Sequence, residues 1–189
     1  MVYRKYIKRF LDLLFGILAL VLLWWLMAIV VIIILCTDGT PVLFKQERVG
    51  QYGKPFTIYK FRTMTKNAES IGPRSTSKDD PRITPVGRFL RKSSLDELPQ
   101  VFNLIKGDMS VVGYRPGVLE NYCESDFTSG MFDVKPGITG YAQVNGRSSL
   151  SLDEKRAWEL KYVEDISFMT DLRIFFKTFS VVLKRSNSN

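Results

Sequence analysis

Residues 13–35 read LLFGILALVLLWWLMAIVVIIIL, a continuous run without one charged side chain. At ~1.5 Å of rise per residue this is roughly 35 Å of helix, enough to cross the hydrocarbon of a bilayer. A run of that length reads as a membrane segment rather than as the core helix of a small soluble domain. It is too long for a cleavable leader, and Cys36-Thr37-Asp38-Gly39 behind it lacks the small-x-small cleavage pattern. Arg4, Lys5, Lys8 and Arg9 precede the run, and Lys45, Arg48, Lys54, Lys60, Arg62 and Lys66 follow it. Cationic flanks stay on the cytoplasmic side, so both ends claim the same side. Either the stronger flank wins and the helix crosses, or the segment enters and leaves by one face. Asp12, at the lip of the run, is costly there unless it is paired.

The chain has 189 residues, enough for one domain with its own core. It divides into a membrane-inserted segment, residues 1–37, and a second unit, residues 38–189. Twenty-seven Lys and Arg against 19 Asp and Glu leave a net charge of +8, which points to an anionic partner. Histidine is absent. That excludes imidazole bases, His-dependent triads and the usual zinc sites, so proton transfer and nucleophilic attack fall to carboxylates or lysine. Cys36 and Cys123 lie far apart in unlike contexts and suggest neither a disulfide framework nor a thiolate metal site.

Beyond the apolar run, Val42–Gln46 and Phe56–Phe61 read as two strands of a β-hairpin around a Gly50–Pro55 turn. Thr65–Gly87 is polar and proline-containing, a long loop. Leu98, Val101, Phe102, Leu104 and Ile105 have helical spacing, stopped by Gly107. Gly113-Tyr114-Arg115-Pro116-Gly117, Pro136–Gly140 and Asn145-Gly146-Arg147 each read as a turn, or as a place where glycine lets backbone N–H groups and a neighbouring arginine meet a phosphate. Asp171–Arg185 is a basic amphipathic helix suited either to the membrane interface or to the domain core. The fold class is therefore α+β: mostly helical and membrane-associated, with a re-entrant or spanning N-terminal helix, a short hairpin and amphipathic interfacial helices.

The tetrapeptide SLDE occurs twice, at Ser94–Glu97 and Ser151–Glu154. Both copies fit the capping box of a helix start. Their surroundings differ. Arg88, Arg91 and Lys92 precede the first copy and Arg115 follows it, so Asp96 and Glu97 sit as a carboxylate pair among cations, able to hold Mg²⁺ or attack phosphorus. The second opens an ordinary charged helix through Tyr162.

The stretches Lys60-Phe61-Arg62-Thr63-Met64, Asp80-Pro81-Arg82-Ile83-Thr84, Ser94–Gln100, Lys106–Ser110, Gly113–Pro116, Pro136–Gly140 and Gln143–Arg147, in this order, resemble the bacterial sugar transferase family of monotopic phosphoglycosyl transferases. The likeness runs from about Lys8 to Arg185 and is to the small, catalytic-unit form. It implies transfer of a sugar-1-phosphate from a UDP-sugar to polyprenyl (undecaprenyl) phosphate with release of UMP. That reaction starts lipid-linked glycan assembly on the cytoplasmic face of the bacterial inner membrane. By position, Asp96 is implied to be the nucleophile, forming an aspartyl phosphosugar and binding Mg²⁺. Glu97 is implied to assist, through the metal or by taking a proton from the lipid phosphate. Arg62, Arg82, Arg88, Arg91, Arg115 and Arg147 are the candidate substrate contacts. Small members of the family commonly carry a Ser-Pro pair that turns the membrane helix back, where this chain has Trp24-Trp25. Membrane lipid is an expected partner and nucleic acid is not, since no nucleic-acid module accompanies the charge. The competing reading is a non-catalytic anchor protein that binds anionic lipid and uses both SLDE boxes only as caps.

Overall fold

The computed structural model describes residues 2–72, 80–146 and 149–186. The apolar run forms α1, Lys8–Thr37, entered through a wider helical turn, Tyr3–Ile7. One stripe of α1 is buried, at Lys8, Asp12, Gly16, Val30 and Ile34. Ala19, Leu23 and Met27 fill the middle of that stripe and line a cavity beneath it. The spacing of three to four residues is that of a single helix face. On the opposite face Phe10, Val21, Trp24, Trp25 and Ile32 are each more than half exposed.

The buried stripe lies lengthwise on the rest of the chain. At its start Lys8 pairs with Asp171, whose carboxylate also accepts from the hydroxyls of Tyr3 at 2.6 Å and Tyr162 at 2.7 Å. Asp12 accepts from the Ser110 hydroxyl at 2.9 Å and the Val111 N–H at 2.8 Å, the partners that an acid in this position requires. Arg9 donates to the carbonyls of Leu104 and Ile105, which lie in the last turn of α4, Gln100–Lys106. At its far end Val30 and Ile34 pack with Phe61 and Leu90. Both cationic flanks therefore rest on one folded body. Helix α1 continues unbroken through Trp24-Trp25, where neither residue removes a backbone N–H as proline would.

The hairpin forms from β1, Leu43–Val49, and β2, Pro55–Phe61, with Leu43 opposite Phe61 and Val49 opposite Pro55. It is longer than its apolar residues suggest, because the ladder carries Glu47 and Arg48 along to the tight turn where Gly50 N–H meets the Lys54 carbonyl. Within the polar stretch that follows lie a short α2, Ala68–Ile71, and a bridge between Met64 and Ile83. Helix α3, Pro85–Ser93, starts where the Thr84 hydroxyl caps Gly87 N–H.

A parallel pair, β3 (Ser110–Val112) and β4 (Gly137–Thr139), anchors the second half. Around it stand α5 (Glu124–Thr128), α6 (Tyr141–Asn145), α7 (Leu152–Asp165) and α8 (Phe168–Ser186). Tyr114, Phe132, Tyr162 and Ile174 form the centre of the larger core. Helix α8 uses both of its expected faces: Ile174 is buried and Phe175 packs on Phe15, while Phe176 and Phe179 are exposed.

Gly113 and Gly137 serve strand pairing rather than phosphate binding. Gly113 N–H donates to the Thr139 carbonyl and Gly137 N–H to that of Tyr114, so neither is available to an anion. A Cβ on Gly140 would lie 2.0 Å from the Gly113 carbonyl oxygen, a clash that only backbone movement relieves. Gly140→Ala is therefore expected to cost about 3 kcal/mol or more, read as a lowered denaturation midpoint; an unchanged midpoint would contradict this packing.

Candidate active site

The two SLDE copies fold differently. At the second, Ser151 Oγ accepts from Glu154 N–H at 3.2 Å and Glu154 Oε2 accepts from Ser151 N–H at 2.7 Å, a complete capping box. At the first, no cap forms. Ser94 follows directly on α3 and adopts left-handed geometry, φ +59°, its N–H closing the end of that helix. A non-glycine residue pays about 1–2 kcal/mol for this conformation, the kind of strain that gathers at functional sites. Asp96 and Glu97 are thereby presented on one tight turn, Leu95–Glu97, before α4 begins.

Glu97 lies between two cations drawn from distant parts of the chain. Lys60, on β2, donates to Oε1 at 2.8 Å. Arg115, just beyond β3, reaches both carboxylate oxygens through its two Nη atoms. Burial would push the Glu97 carboxyl up, yet Arg115 and then Lys60 outweigh it and hold it well below the usual carboxylate range. Asp96 behaves oppositely. It is buried, and burial followed by the Glu97 charge pushes its carboxyl up, against the pull of Lys60 and Arg91.

The six candidate arginines scatter. Arg115 and Arg91 belong to the site; Arg91 Nε donates to Thr63 Oγ1 at 2.8 Å and has Asp96 as its strongest charged neighbour. Arg82 forks onto Asp80, and that pair also acts on Arg91. Arg62 is buried and donates to the carbonyls of Asp38 and Gly39 at the end of α1. Arg88 is exposed on α3. Arg147 lies outside the described residues. Lys60 was not among the sequence-derived candidates; it stands in the Lys60–Met64 motif but reads equally well as a flank of the membrane run.

Among the described residues no group of three or more acidic, Cys or His side chains converges on a metal position. Glu97 is engaged on both oxygens, which leaves Asp96 as the available acidic ligand of this turn. One carboxylate suits Mg²⁺, which keeps several waters and takes substrate phosphates as further ligands.

Two cavities meet beside this turn. One, of about 290 Å³, runs between Ala19, Leu23 and Met27 of α1 and Phe175 and Phe179 of α8, and reaches Glu97 and Arg115. The other, of about 350 Å³, is walled by Tyr122, Pro116 and the Leu152, Lys155 and Glu159 face of α7, and also reaches Arg115. Gln143 lines both. Glu159 is buried; its Oε1 accepts the Arg115 backbone N–H at 3.1 Å and its Oε2 has no partner. Burial pushes the Glu159 carboxyl up to about 7, against the Arg115 backbone and charge.

A carboxyl raised in the folded state contributes its full stability below its unfolded pKa and loses it as pH rises through the folded value. From 4.5 to about 7 this amounts to roughly 3 kcal/mol. Glu159→Gln, which keeps an oxygen for the Arg115 N–H, should gain in midpoint over the parent between pH 5 and pH 8. A midpoint difference that does not vary with pH would show that Glu159 is not held in this way.

The comparisons with known proteins come from the whole chain. The pattern described as "Bacterial sugar transferase" matches residues 3–185. The chain is 42% identical over 180 residues to "Uncharacterized sugar transferase EpsL" of Bacillus subtilis, covering 94% of this chain and 87% of the relative. It is 40% identical over 202 residues to "Undecaprenyl-phosphate galactose phosphotransferase" of Salmonella typhimurium, covering 97% of this chain but 42% of that protein. It is 41% identical over 180 residues to "UDP-glucose:undecaprenyl-phosphate glucose-1-phosphate transferase" of Klebsiella pneumoniae, covering 90% and 39%. The chain thus spans less than half of the latter two relatives. With a match over nearly its whole length, the chain belongs to the bacterial sugar transferase family.

Proposed function

We propose that this chain transfers a sugar-1-phosphate from a UDP-sugar to polyprenyl phosphate, releasing UMP, at the cytoplasmic face of a bacterial inner membrane. The observation that carries the reading is Asp96: a buried carboxylate with no side-chain hydrogen-bond donor among the described residues, amid Lys60, Arg91 and Arg115, next to Glu97, which lines the end of an apolar cavity walled by α1. A carboxylate nucleophile suits a site with no histidine. The names of the relatives, which state undecaprenyl-phosphate acceptors, support the same reaction.

In the first step an Asp96 Oδ attacks the β-phosphorus of the donor. The bond between that phosphorus and the bridging oxygen breaks, and the oxygen leaves with its electron pair as part of UMP. In the second step an oxygen of the lipid phosphate attacks the same phosphorus, the Asp96 ester bond breaks, and the lipid pyrophosphoryl sugar departs with the carboxylate restored. Lys60, Arg91 and Arg115 offset the charge on the phosphoryl oxygens in both steps. Burial and the Glu97 charge make Asp96 a more basic, poorly solvated nucleophile. Mg²⁺ held at Asp96, when bound, would neutralise the donor's phosphates. Glu97, ion-paired on both oxygens, is better suited to fixing Lys60 and Arg115 in place than to accepting a proton. The 290 Å³ cavity is apolar along α1 and ends at Arg115, a shape that fits a hydrocarbon chain with an anionic head.

Asp96→Asn should abolish UMP release from a UDP-sugar in the presence of Mg²⁺ and polyprenyl phosphate, while Asp153→Asn, the matching position of the second SLDE, keeps near-parental activity. Equal activity in the two variants would leave the non-catalytic anchor as the surviving reading. Lys60→Met should lower kcat at least tenfold, since Glu97 then loses one cation and the site loses one phosphate partner.

A further inference from the structure

Two residues in the wall of the 350 Å³ cavity carry buried polar atoms that have no partner among the described residues: Glu159 at Oε2, and Gln143, which also lines the other cavity, at both amide atoms. Burying such groups unpaired costs about 1–3 kcal/mol each, so a cluster of them in one cavity wall marks a place where a ligand, with a small side-chain shift, completes the hydrogen bonding. Glu159 is only 6% exposed, and it cannot swing away freely because Oε1 is held by the Arg115 backbone. The cavity has the size of a small-molecule site.

The chemistry narrows the occupant. Arg48, Arg115, Lys155 and Arg156 line the cavity and suit a phosphate-bearing ligand, while the Glu159 carboxyl and the Gln143 amide offer acceptors and donors to a polar edge. Tyr122, Pro116 and Leu152 add flat or apolar walls. This combination suits a neutral ring that carries hydrogen-bond donors and acceptors along one edge. Arg115 joins this place to the reacting carboxylates, its backbone N–H on Glu159 and its guanidinium on Glu97. A ring seated here is therefore one arginine's length from the phosphoryl group under attack. Lys155, one helical turn before Glu159 on α7, lines the same cavity and supplies positive charge for the linking phosphate.

We propose that this cavity seats a neutral ring of the nucleotide-sugar donor, with Gln143 and Glu159 as the residues that determine which ring is accepted. The inference rests on the proposed transferase reading. Two rings of such a donor share the required chemistry: the pyrimidine, whose edge alternates acceptor, donor and acceptor, and the hexose with its hydroxyls. In either case the helix behind the second SLDE, chemically silent at its capping box, contributes to binding through its inner face.

The test uses the full chain in lipid nanodiscs with Mg²⁺. Affinities for UMP, CMP and two UDP-hexoses would be measured by titration for the parent, Gln143→Met, Glu159→Gln and, as a control on the exposed face of the same helix, Asp153→Asn. Thermal midpoints would confirm folding, and the near-isosteric Glu159→Gln keeps the test open if Gln143→Met is unstable. A tenfold or greater loss for UMP, or a changed UMP-to-CMP ratio, in the Gln143 or Glu159 variant assigns the cavity to the pyrimidine. Unchanged UMP binding with a changed preference between the hexoses assigns it to the sugar. Folded variants that bind and turn over every donor as the parent does would overturn the inference while leaving the transferase reading intact. A parent that binds none of these nucleotides would remove the transferase reading, and this inference with it.

Discussion

Glu97 is the point at which separate parts of this chain are tied together. It takes Lys60 from the hairpin and Arg115 from the loop beyond β3 onto one carboxylate. A buried charge with two partners is strongly destabilised by loss of either, because the remaining group is left uncompensated. The same arrangement sets the character of its neighbour. With Glu97 firmly anionic, Asp96 lies beside a negative charge in a poorly solvated place, and its basicity rises even though cations surround the pair. Two adjacent carboxylates of nearly equal intrinsic acidity are thus driven apart, one held as an anion between two cations and the other made more basic.

How much of this could be read from the residues is clearest at the two copies of SLDE. The motif predicts the same local structure twice, and only Ser151 delivers it. At Ser94 the preceding helix α3 runs to the very next residue, so the serine must end one helix before it can begin another, and it turns left-handed instead. Local pattern was overridden by what lies immediately upstream. The difference in charge around the copies, by contrast, was legible, because Arg91 and Arg115 do stand beside Asp96 and Glu97. Lys60 was not legible, since its approach to Glu97 depends on the register of the β1–β2 ladder. Glu159 was hidden by the ordinary appearance of α7, whose charges give no sign of which face turns inward.

The apolar run shows the same division. Its length and hydrophobicity were plain, but the way α1 rests on the body depends on a sparse stripe. Asp12 finds Ser110 and Val111, Gly16 admits Leu104 and Ile105, and Val30 and Ile34 join Phe61 and Leu90. Spread over the full helix, these contacts hold both cationic flanks against one folded unit. Paired positive flanks need no break in the helix under this arrangement. The tryptophans at positions 24 and 25 can remain helical, with their rings on the exposed side.

Placement of α1 also divides the space around the reacting turn. Because the helix roofs one side, the cavity beneath it is apolar and is walled by Leu23, Met27, Phe175 and Phe179. On the other side α7 supplies Lys155 and Glu159, and the cavity there is polar. Arg115 and Gln143 form the partition and touch both. Two approaches of opposite polarity therefore converge on one carboxylate turn. Here the convergence is achieved by a single arginine, whose backbone is fixed from the polar side by Glu159 and whose guanidinium is fixed at the reacting side by Glu97. Movement of Arg115 at either end would be felt at both cavities, so the contents of the two are linked through one side chain.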